Sequence, residues 1–211
     1  MCKNIETIIV LFVLRLGMKI ILASGNSGKI REIKNYYKDS EVLAYSDIIE
    51  KFEIIEDGDT YQKNAIIKAT TIYEKLKDNI DNFIVLADDS GITVPSLGGI
   101  PGVFSARYAG IGASDKDNLH KLIDALKEKN IKKTPAFYTA AMAIVSEKGV
   151  FTAHGFMHGS VIAETRGDGG FGYDPMFIPD GFSKTLGELE IEVKQEFSHR
   201  TKALRLIKLL I

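Results

Sequence analysis

Three glycines, two aromatic rings and one carboxylate occur together at residues 169–175, whose sequence is Gly-Gly-Phe-Gly-Tyr-Asp-Pro. Glycine permits close approach of the backbone to a ligand, an aromatic ring can stack on a planar base, and a carboxylate can accept hydrogen bonds from a base edge. The segment therefore predicts a pocket for a nucleobase. A structural turn with one buried ring is the alternative that the segment alone leaves open. The candidate binding residues are Phe171, Gly172, Tyr173 and Asp174.

A second segment of small residues, at 24–29, lies between a predicted strand and a predicted helix. Backbone N–H groups at a helix N-terminus bind phosphate, and small residues let the anion approach. The segment differs from a P-loop, because Ala23 and Ile30 stand where that motif needs glycine and Ser or Thr. We expect a phosphate-binding turn of another kind, with an ordinary turn as the alternative. Its residues are Ser24, Gly25, Asn26, Ser27, Gly28 and Lys29.

Two adjacent carboxylates, Asp88 and Asp89, follow an apolar run that predicts a strand at 83–87. Carboxylates in such a place are costly unless they are solvated, paired or bound to a cation, and Mg²⁺ prefers oxygen ligands that it shares with substrate phosphates. Because neighbouring strand residues point to opposite faces, we expect one aspartate to face a cleft and the other to support a turn. Glu56 is a second candidate ligand. Solvated acidic loops are the alternative for all three.

The last predicted helix opens with Ser198, His199 and Arg200, and Lys194 lies just upstream. The planar donor fork of arginine suits carbonyl oxygens and phosphates. His199 is either a ligand contact or a local hydrogen-bonding residue. A Ser/His/Asp hydrolase of the nucleophile-elbow type is disfavoured, because the sequence contains no Gly-x-Ser-x-Gly motif.

Hydrophobic periodicity and turn residues predict the elements that must position these side chains. Apolar residues at three- and four-residue steps mark the helices, and a hairpin turn at 147–149 separates two long strands. This order predicts an α/β fold, a mixed twisted sheet with flanking helices and two lobes around a central substrate cleft. The predicted elements are strands at 19–23, 42–45, 83–87, 135–145 and 150–162, helices at 28–37, after Asp59 or Thr60, after Ser114 or Asp115 and after Ser198, and a loop at 98–112.

Composition narrows the class of protein further. The 211 residues are 45% hydrophobic and carry a net charge of −1, which argues against a nucleic-acid or membrane partner. The only cysteine, Cys2, excludes an internal disulfide and a cysteine-based zinc site and favours a cytoplasmic location. An apolar run at 8–14 is too short to span a bilayer. We interpret residues 1–17 as a non-native or disordered extension before one domain at 18–211.

Together these segments resemble the inosine triphosphate pyrophosphatase family, also called Ham1-like, and its bacterial branch most closely. The resemblance is carried by residues 22–29, 87–91, 97–102, 105–108, 169–175 and 198–200 and runs from Met18 to the C-terminus. It implies Mg²⁺-dependent hydrolysis of ITP, dITP and XTP to the monophosphate and pyrophosphate, which cleanses the nucleotide pool. It also implies a homodimer.

The same resemblance implies a role for each candidate residue. The turn at 24–29 would hold the triphosphate, with Lys29 as its principal charge partner. Asp89 would accept a proton from the attacking water, and Asp88 would support it. The resemblance also assigns metal binding to Glu56 and Asp89, substrate contact to Ser90, and base recognition to Phe171, Gly172, Tyr173, Asp174, Lys194, His199 and Arg200.

One position departs from the family pattern. Lys63 stands before Asn64 and Ala65, where relatives usually have glutamate. If that glutamate assists the metal, the site in this chain must depend on Glu56 and the two aspartates. The reversal keeps a nucleotide-binding module without catalysis as one alternative. A pyrophosphatase of another specificity, such as one for modified pyrimidines, is the other.

Overall fold

Six strands form one mixed sheet in the computed structural model, which describes residues 18–210. Strand β1 is parallel to β2 and β3, and the remaining neighbours in the order β2-β1-β3-β4-β5-β6 are antiparallel. The predicted α/β class with a mixed sheet is confirmed. The strands are β1 (Lys19–Leu22), β2 (Val42–Ala44), β3 (Phe83–Thr93), β4 (Lys133–Ser146), β5 (Gly149–Ile162) and β6 (Phe177–Pro179).

Five α-helices flank this sheet in the described part of the chain, and four of them begin at a side-chain cap. Asn26, Thr60, Ser114 and Ser198 each accept a hydrogen bond from a backbone N–H of the first turn, as such residues do at helix N-termini. The predicted caps at Thr60, Ser114 and Ser198 are confirmed. The helices are α1 (Ser27–Tyr36), α2 (Tyr61–Leu76), α3 (Asp115–Glu128), α4 (Ile191–Phe197) and α5 (His199–Ile207).

Three apolar clusters hold the layers together. Helices α1 and α5 cover one face of β1, β3 and β4, and α2 covers the opposite face of the same strands. Helix α3 packs on the far halves of β4 and β5 together with β6. The first two clusters form one lobe and the third forms the other, so β3, β4 and β5 are shared by both lobes.

Strand β3 differs from its predicted extent. The prediction that the strand ends before Asp88 is wrong, because β3 continues to Thr93 and pairs with β4 along its whole length. Both aspartate side chains have charged partners in the layers next to the sheet. Neither carboxylate therefore has to be exposed to solvent, and the strand can continue. Asp88 pairs with Met142 and Asp89 with Ala141 in the antiparallel register.

Other boundaries shift less. The strands at 135–145 and 150–162 extend to Lys133–Ser146 and Gly149–Ile162, and the hairpin between them is confirmed. Gly149 closes this turn with φ of +115°, a conformation that favours glycine. The predicted loop at 98–112 contains a 3₁₀ helix, Gly102–Arg107. The interpretation of residues 1–17 lies outside the described residues, among which no helix is long and apolar enough to cross a membrane.

Candidate active site

A cleft between the two lobes collects side chains from all the polar segments singled out in the sequence. Most of the candidate residues line it, although they come from both ends of the chain. Two do not line it: Ser27 and Gly28, which lie in the first turn of α1. The candidates that line the cleft are Ser24, Gly25, Asn26, Lys29, Glu56, Asp88, Asp89, Ser90, Phe171, Gly172, Tyr173, Asp174, Lys194, His199 and Arg200.

The turn before α1 presents a positive helix end to the cleft. The Asn26 side chain caps the helix by accepting the Lys29 N–H at 3.0 Å, and Ser24 Oγ accepts the Asn26 N–H at 3.2 Å. The first helical turn contains no acidic residue, so the helix dipole and the charge of Lys29 favour an anion at this end. A Cβ on Gly28 would lie 3.0 Å from the Phe171 ring, so this turn packs directly against the predicted base pocket.

Asp88 is buried on the face of β3 that α1 and α5 cover. Its Oδ2 lies 2.9 Å from Lys29 Nζ and 3.2 Å from Arg200 Nη2, and it accepts a hydrogen bond from Ser90 Oγ at 3.3 Å. Burial raises the pKa of this carboxyl, but the charges of Arg200 and Lys29 outweigh burial and hold the pKa well below its ordinary value. Asp88 is therefore a fixed anion that orients two cations. Its Oδ1 has no hydrogen-bond partner among residues 18–210.

Asp89 points to the opposite face of β3, toward α2. Its Oδ1 lies 3.4 Å from Lys68 Nζ, and its Oδ2 accepts a hydrogen bond from Asn64 Nδ2 at 3.2 Å. Burial raises the pKa of Asp89, and the charges of Lys68 and Lys29 offset that rise only in part. A carboxylate with a raised pKa and a place in a cleft suits proton transfer.

Lys68 holds a position between two carboxylates. Its ammonium lies 2.8 Å from Glu56 Oε2 and 3.4 Å from Asp89 Oδ1, so a positive charge already occupies the space that these oxygens enclose. No group of three or more His, Cys, Asp or Glu side chains that could hold a metal ion occurs within residues 18–210. Mg²⁺ is commonly bound by one or two carboxylates together with water and substrate phosphates. The pair Glu56 and Asp89 fits that mode of binding.

Lys63 lies outside this arrangement. Its Nζ is 2.8 Å from Asp59 Oδ1, and the side chains of both residues are largely exposed. The reversed charge is therefore neutralised at the surface, five residues before Lys68. Although Lys63 departs from the family pattern, it makes no direct contact with Glu56 or Asp89.

The base side of the cleft is formed by a buried network of charged side chains. Lys194 Nζ lies 2.7 Å from Asp174 Oδ2 and 3.0 Å from Glu32 Oε1, while Glu32 Oε2 also pairs with Arg200. The Phe171 ring lies beside both cations, with its centroid 4.8 Å from Lys194 Nζ and 5.6 Å from Arg200 Cζ. Burial raises the pKa of Asp174, and Lys194 opposes that rise. The network fixes two donors and one acceptor around a ring.

Tyr173 and His199 are buried supports of this wall. The Tyr173 hydroxyl donates to the Ser105 carbonyl at 2.7 Å, which ties the base segment to the 3₁₀ helix Gly102–Arg107. His199 stacks on Tyr138 with ring centroids 4.7 Å apart. Burial holds the pKa of His199 well below its ordinary value, so its imidazole is neutral at physiological pH. The Nδ1 atom of His199 lacks a hydrogen-bond partner in the described part of the chain. The residue itself lines the cleft.

Sequence reasoning missed several residues of the cleft. Lys68 had a signal, since a lysine on the apolar stripe of α2 needs a partner. Glu32 had a weaker one, because it lies one helical turn after Lys29 and beside the buried Ile33. Asp115 gave no signal; its Oδ2 accepts the Gly172 N–H at 3.1 Å, and both residues line the cleft. The other missed residues are Asn64 and the cleft-lining Arg107.

Residues 20–209 match the family model described as the Ham1 family. The chain belongs to the Ham1 family. Among its relatives, a dITP/XTP pyrophosphatase of Nautilia profundicola is 64% identical over 194 residues, which cover 92% of this chain and 97% of the relative. One of Sulfurovum sp. is 63% identical over 196 residues, covering 92% of this chain and 93% of the relative.

The Ham1 fold is also found in solved structures. A HAM1 protein from Coxiella burnetii superposes with a TM-score of 0.79 at 34% identity and covers 92% of this chain and 98% of its own. A dITP/XTP pyrophosphatase from Mycobacterium abscessus gives a TM-score of 0.70 at 34% identity, with 90% and 98% coverage. The mixed sheet and the flanking helices of this chain are thus those of Ham1 proteins.

Proposed function

We propose that this Ham1 protein is a nucleoside triphosphate pyrophosphatase that hydrolyses ITP, dITP and XTP to the monophosphate and pyrophosphate. The observation that carries the proposal is the single cleft in which a phosphate-binding helix end, an acidic pair and a closed base pocket meet. The names of the relatives point to the same reaction. Removal of these nucleotides would cleanse the pool and prevent their incorporation into DNA and RNA.

The geometry on the two faces of β3 supports the following proposed catalytic roles. Asp89, with its raised pKa, accepts the proton of a water that attacks the α-phosphorus, and pyrophosphate leaves. Lys29 and the turn at 24–29 offset the charge of the phosphates, and Asp88 holds Lys29 in place at 2.9 Å. Glu56 and Asp89 would hold Mg²⁺, which supplies Lewis-acid chemistry and a template for the phosphates when bound.

We assign base selection to the buried network of charged side chains on the base side of the cleft. Hypoxanthine and xanthine present a carbonyl oxygen at the six-position and an N1–H beside it. Arg200 and Lys194 supply donors for the oxygen, and Asp174 supplies an acceptor for the N1–H. Adenine presents the reverse pattern and would leave buried groups unpaired, which rejects a wrong partner by factors on the order of 10⁴.

A second copy of the chain is the proposed partner, in addition to the substrate. The outer face of the β4–β5 hairpin carries apolar side chains that are open to solvent, including Phe156, which is 46% exposed, and Val150, which is 49% exposed. Light scattering after size-exclusion chromatography should give a dimer mass for the wild type and a monomer mass for Phe156→Lys. A monomeric wild type would contradict this part of the proposal. The cytoplasmic location stays a prediction.

The test of the activity is a panel of ITP, XTP, dITP, GTP, ATP, CTP and UTP, with and without Mg²⁺, in which nucleotide products and pyrophosphate are resolved. We expect Mg²⁺-dependent conversion of ITP, dITP and XTP to monophosphates, with the common nucleotides largely spared. Equal rates on ATP and ITP would contradict the base-selection argument. Tight binding of ITP without turnover would identify a binding module, and turnover confined to modified pyrimidines would identify the other alternative.

A further inference from the structure

Asn64 is a buried amide to which the proposed reaction assigns no role. It is 1% exposed and lies in the first turn of α2. Its Oδ1 accepts the Gly58 N–H at 2.8 Å, and its Nδ2 donates to Asp89 Oδ2 at 3.2 Å. One end of the amide therefore binds the loop before α2, and the other end binds strand β3.

The contact with Gly58 leaves no space for a side chain there. A Cβ at this position would lie 2.6 Å from Asn64 Oδ1 and 2.8 Å from the Lys63 Cβ. Such distances require the chain to shift, because Lys63 Cβ and the Asn64 backbone N, which would lie 3.0 Å away, cannot swing aside like the far end of a flexible side chain. Glu56 is two residues before Gly58, so the position of the Glu56 loop depends on this hydrogen bond.

Helix α2 holds Asp89 at two points. Asn64 and Lys68 are four residues apart and thus lie on the same helix face. The lysine contacts Oδ1 of Asp89 and also reaches Glu56, whereas the amide contacts only Oδ2. The lysine is charged and lies between the two carboxylates, where a cation would compete with it. The neutral amide binds at the other oxygen and has no positive charge that would compete with a cation.

We propose that Asn64 is a positioning residue that sets the separation and orientation of Glu56 and Asp89 for a divalent cation. The inference rests on the metal-binding role proposed above for those two carboxylates. Its amide N–H restrains Oδ2 of Asp89 and leaves Oδ1 to a ligand, and its carbonyl oxygen anchors the loop that carries Glu56. Hydrogen bonds that orient metal ligands in this way are worth about 10–100-fold in metal affinity or activity.

The first test measures Mn²⁺ alone, without nucleotide, by electron paramagnetic resonance of the free ion. The proteins are the wild type, Asn64→Ala, Gly58→Ala and the control Lys63→Ala, whose exposed side chain leaves the same turn of α2. We expect Asn64→Ala and Gly58→Ala to weaken Mn²⁺ binding about tenfold or more. The control should bind like the wild type. Unchanged affinity in both variants would overturn the inference.

A second variant separates the two hydrogen bonds. Asn64→Asp has the shape of the wild-type side chain and keeps an acceptor for Gly58, but it replaces the donor to Asp89 with a negatively charged acceptor that repels this carboxylate. We expect kcat for ITP to fall about tenfold or more while KM stays within about threefold, since substrate binding groups are untouched. This variant still tests the inference if Asn64→Ala fails to fold. A wild-type kcat would overturn the part of the inference that concerns Asp89.

Two further proteins separate this inference from the metal assignment on which it rests. Glu56→Ala and Asp89→Asn should each lose Mn²⁺ affinity. If both bind Mn²⁺ like the wild type, the metal assignment is wrong and the inference falls with it. If both lose Mn²⁺ while Asn64→Ala and Gly58→Ala retain it, the assignment holds and the positioning role of Asn64 alone is wrong.

Discussion

The two sides of the cleft are built in different ways. On the base side, the side chains of Glu32, Lys194 and Arg200 are 8%, 5% and 3% exposed, and each cation contacts two carboxylates. On the metal side, the Glu56 side chain is 31% exposed and its ion-pair partner among the described residues is one lysine, Lys68. The base pocket is thus formed before a ligand arrives, while the acidic pair is held by a contact that a cation would replace.

This difference matches what each side must do. Discrimination between bases needs donors and acceptors that stay in place, because a mobile group would adapt to the wrong edge. A cation site needs oxygens that can open and close around the ion and its phosphate ligands. The contrast predicts that substitutions on the base side affect stability and selectivity together, whereas those on the metal side affect turnover.

The largest expected effect is on the metal side. Asp89→Asn removes the proton acceptor and keeps the shape of the side chain, so kcat for ITP should fall about 10³-fold, within the range for loss of a general base. KM should change only a few-fold. Steady-state kinetics with Asp59→Asn as an exposed control measure this. A turnover close to that of the wild type would remove Asp89 from the mechanism.

On the base side, Glu32→Ala should reduce stability and selectivity together. It leaves the buried cations Lys194 and Arg200 short of a partner, which costs about 3 kcal/mol in the free energy of unfolding. The ratio of kcat/KM for ITP over ATP should also fall, because the two donors lose their common support. Urea unfolding and kinetics should be compared with Glu74→Ala, whose side chain is 53% exposed. A loss of turnover without a loss of stability or selectivity would contradict the contrast.

The same network predicts an acid response. Burial raises the pKa of Glu32, but Arg200 and Lys194 outweigh it and lower the pKa below the ordinary 4.5. The resulting contribution to stability is therefore complete above about pH 4.5 and is lost as the pH falls toward the lowered value. The difference in unfolding free energy between wild type and Glu32→Gln should shrink as the pH falls from 6 to about 3. A difference that stays constant or grows would show that Glu32 is not ionised in the network.

The smallest effect is expected at the exposed end of α2. Lys63→Glu introduces the charge that relatives usually have, yet it changes only an exposed surface pair with Asp59, which solvent screens. We expect kcat/KM for ITP to change less than about twofold, because surface substitutions away from a site have small effects. An increase of tenfold in Mg²⁺-dependent turnover would show that Lys63 does reach the metal side.

Local patterns in the sequence predicted much of the fold. Caps such as Thr60 and Ser114, the apolar periodicity of α2 and the hairpin before Gly149 each depend on neighbouring residues, so they are visible in one sequence. The continuation of β3 past Asp88 was not visible, because it depends on partners far along the chain. Whether a strand continues through a residue with a carboxylate, or ends so that the carboxylate is exposed to solvent, depends on those partners.

The candidate site divides in the same way. The segments at 24–29 and 169–175 were recognisable from their types and spacing, and the cleft does collect most of their side chains. The residues that hold these groups were not recognisable. Glu32 and Arg200 are 168 residues apart in sequence, and the bond between them depends on how α1 and α5 pack on one face of the sheet. Asn64 carries no charge that would mark it.

The unbroken course of β3 has one more consequence. Asp88 belongs to the base-side network and Asp89 to the metal side, and a single peptide plane separates them, with Cα atoms about 3.8 Å apart. That plane is rigid and is held on one edge by β4. Base recognition and bond cleavage are therefore linked through one rigid peptide plane. We therefore expect a nucleotide whose base displaces Arg200 to disturb the neighbouring carboxylate as well, which is the proposed proton acceptor for the attacking water.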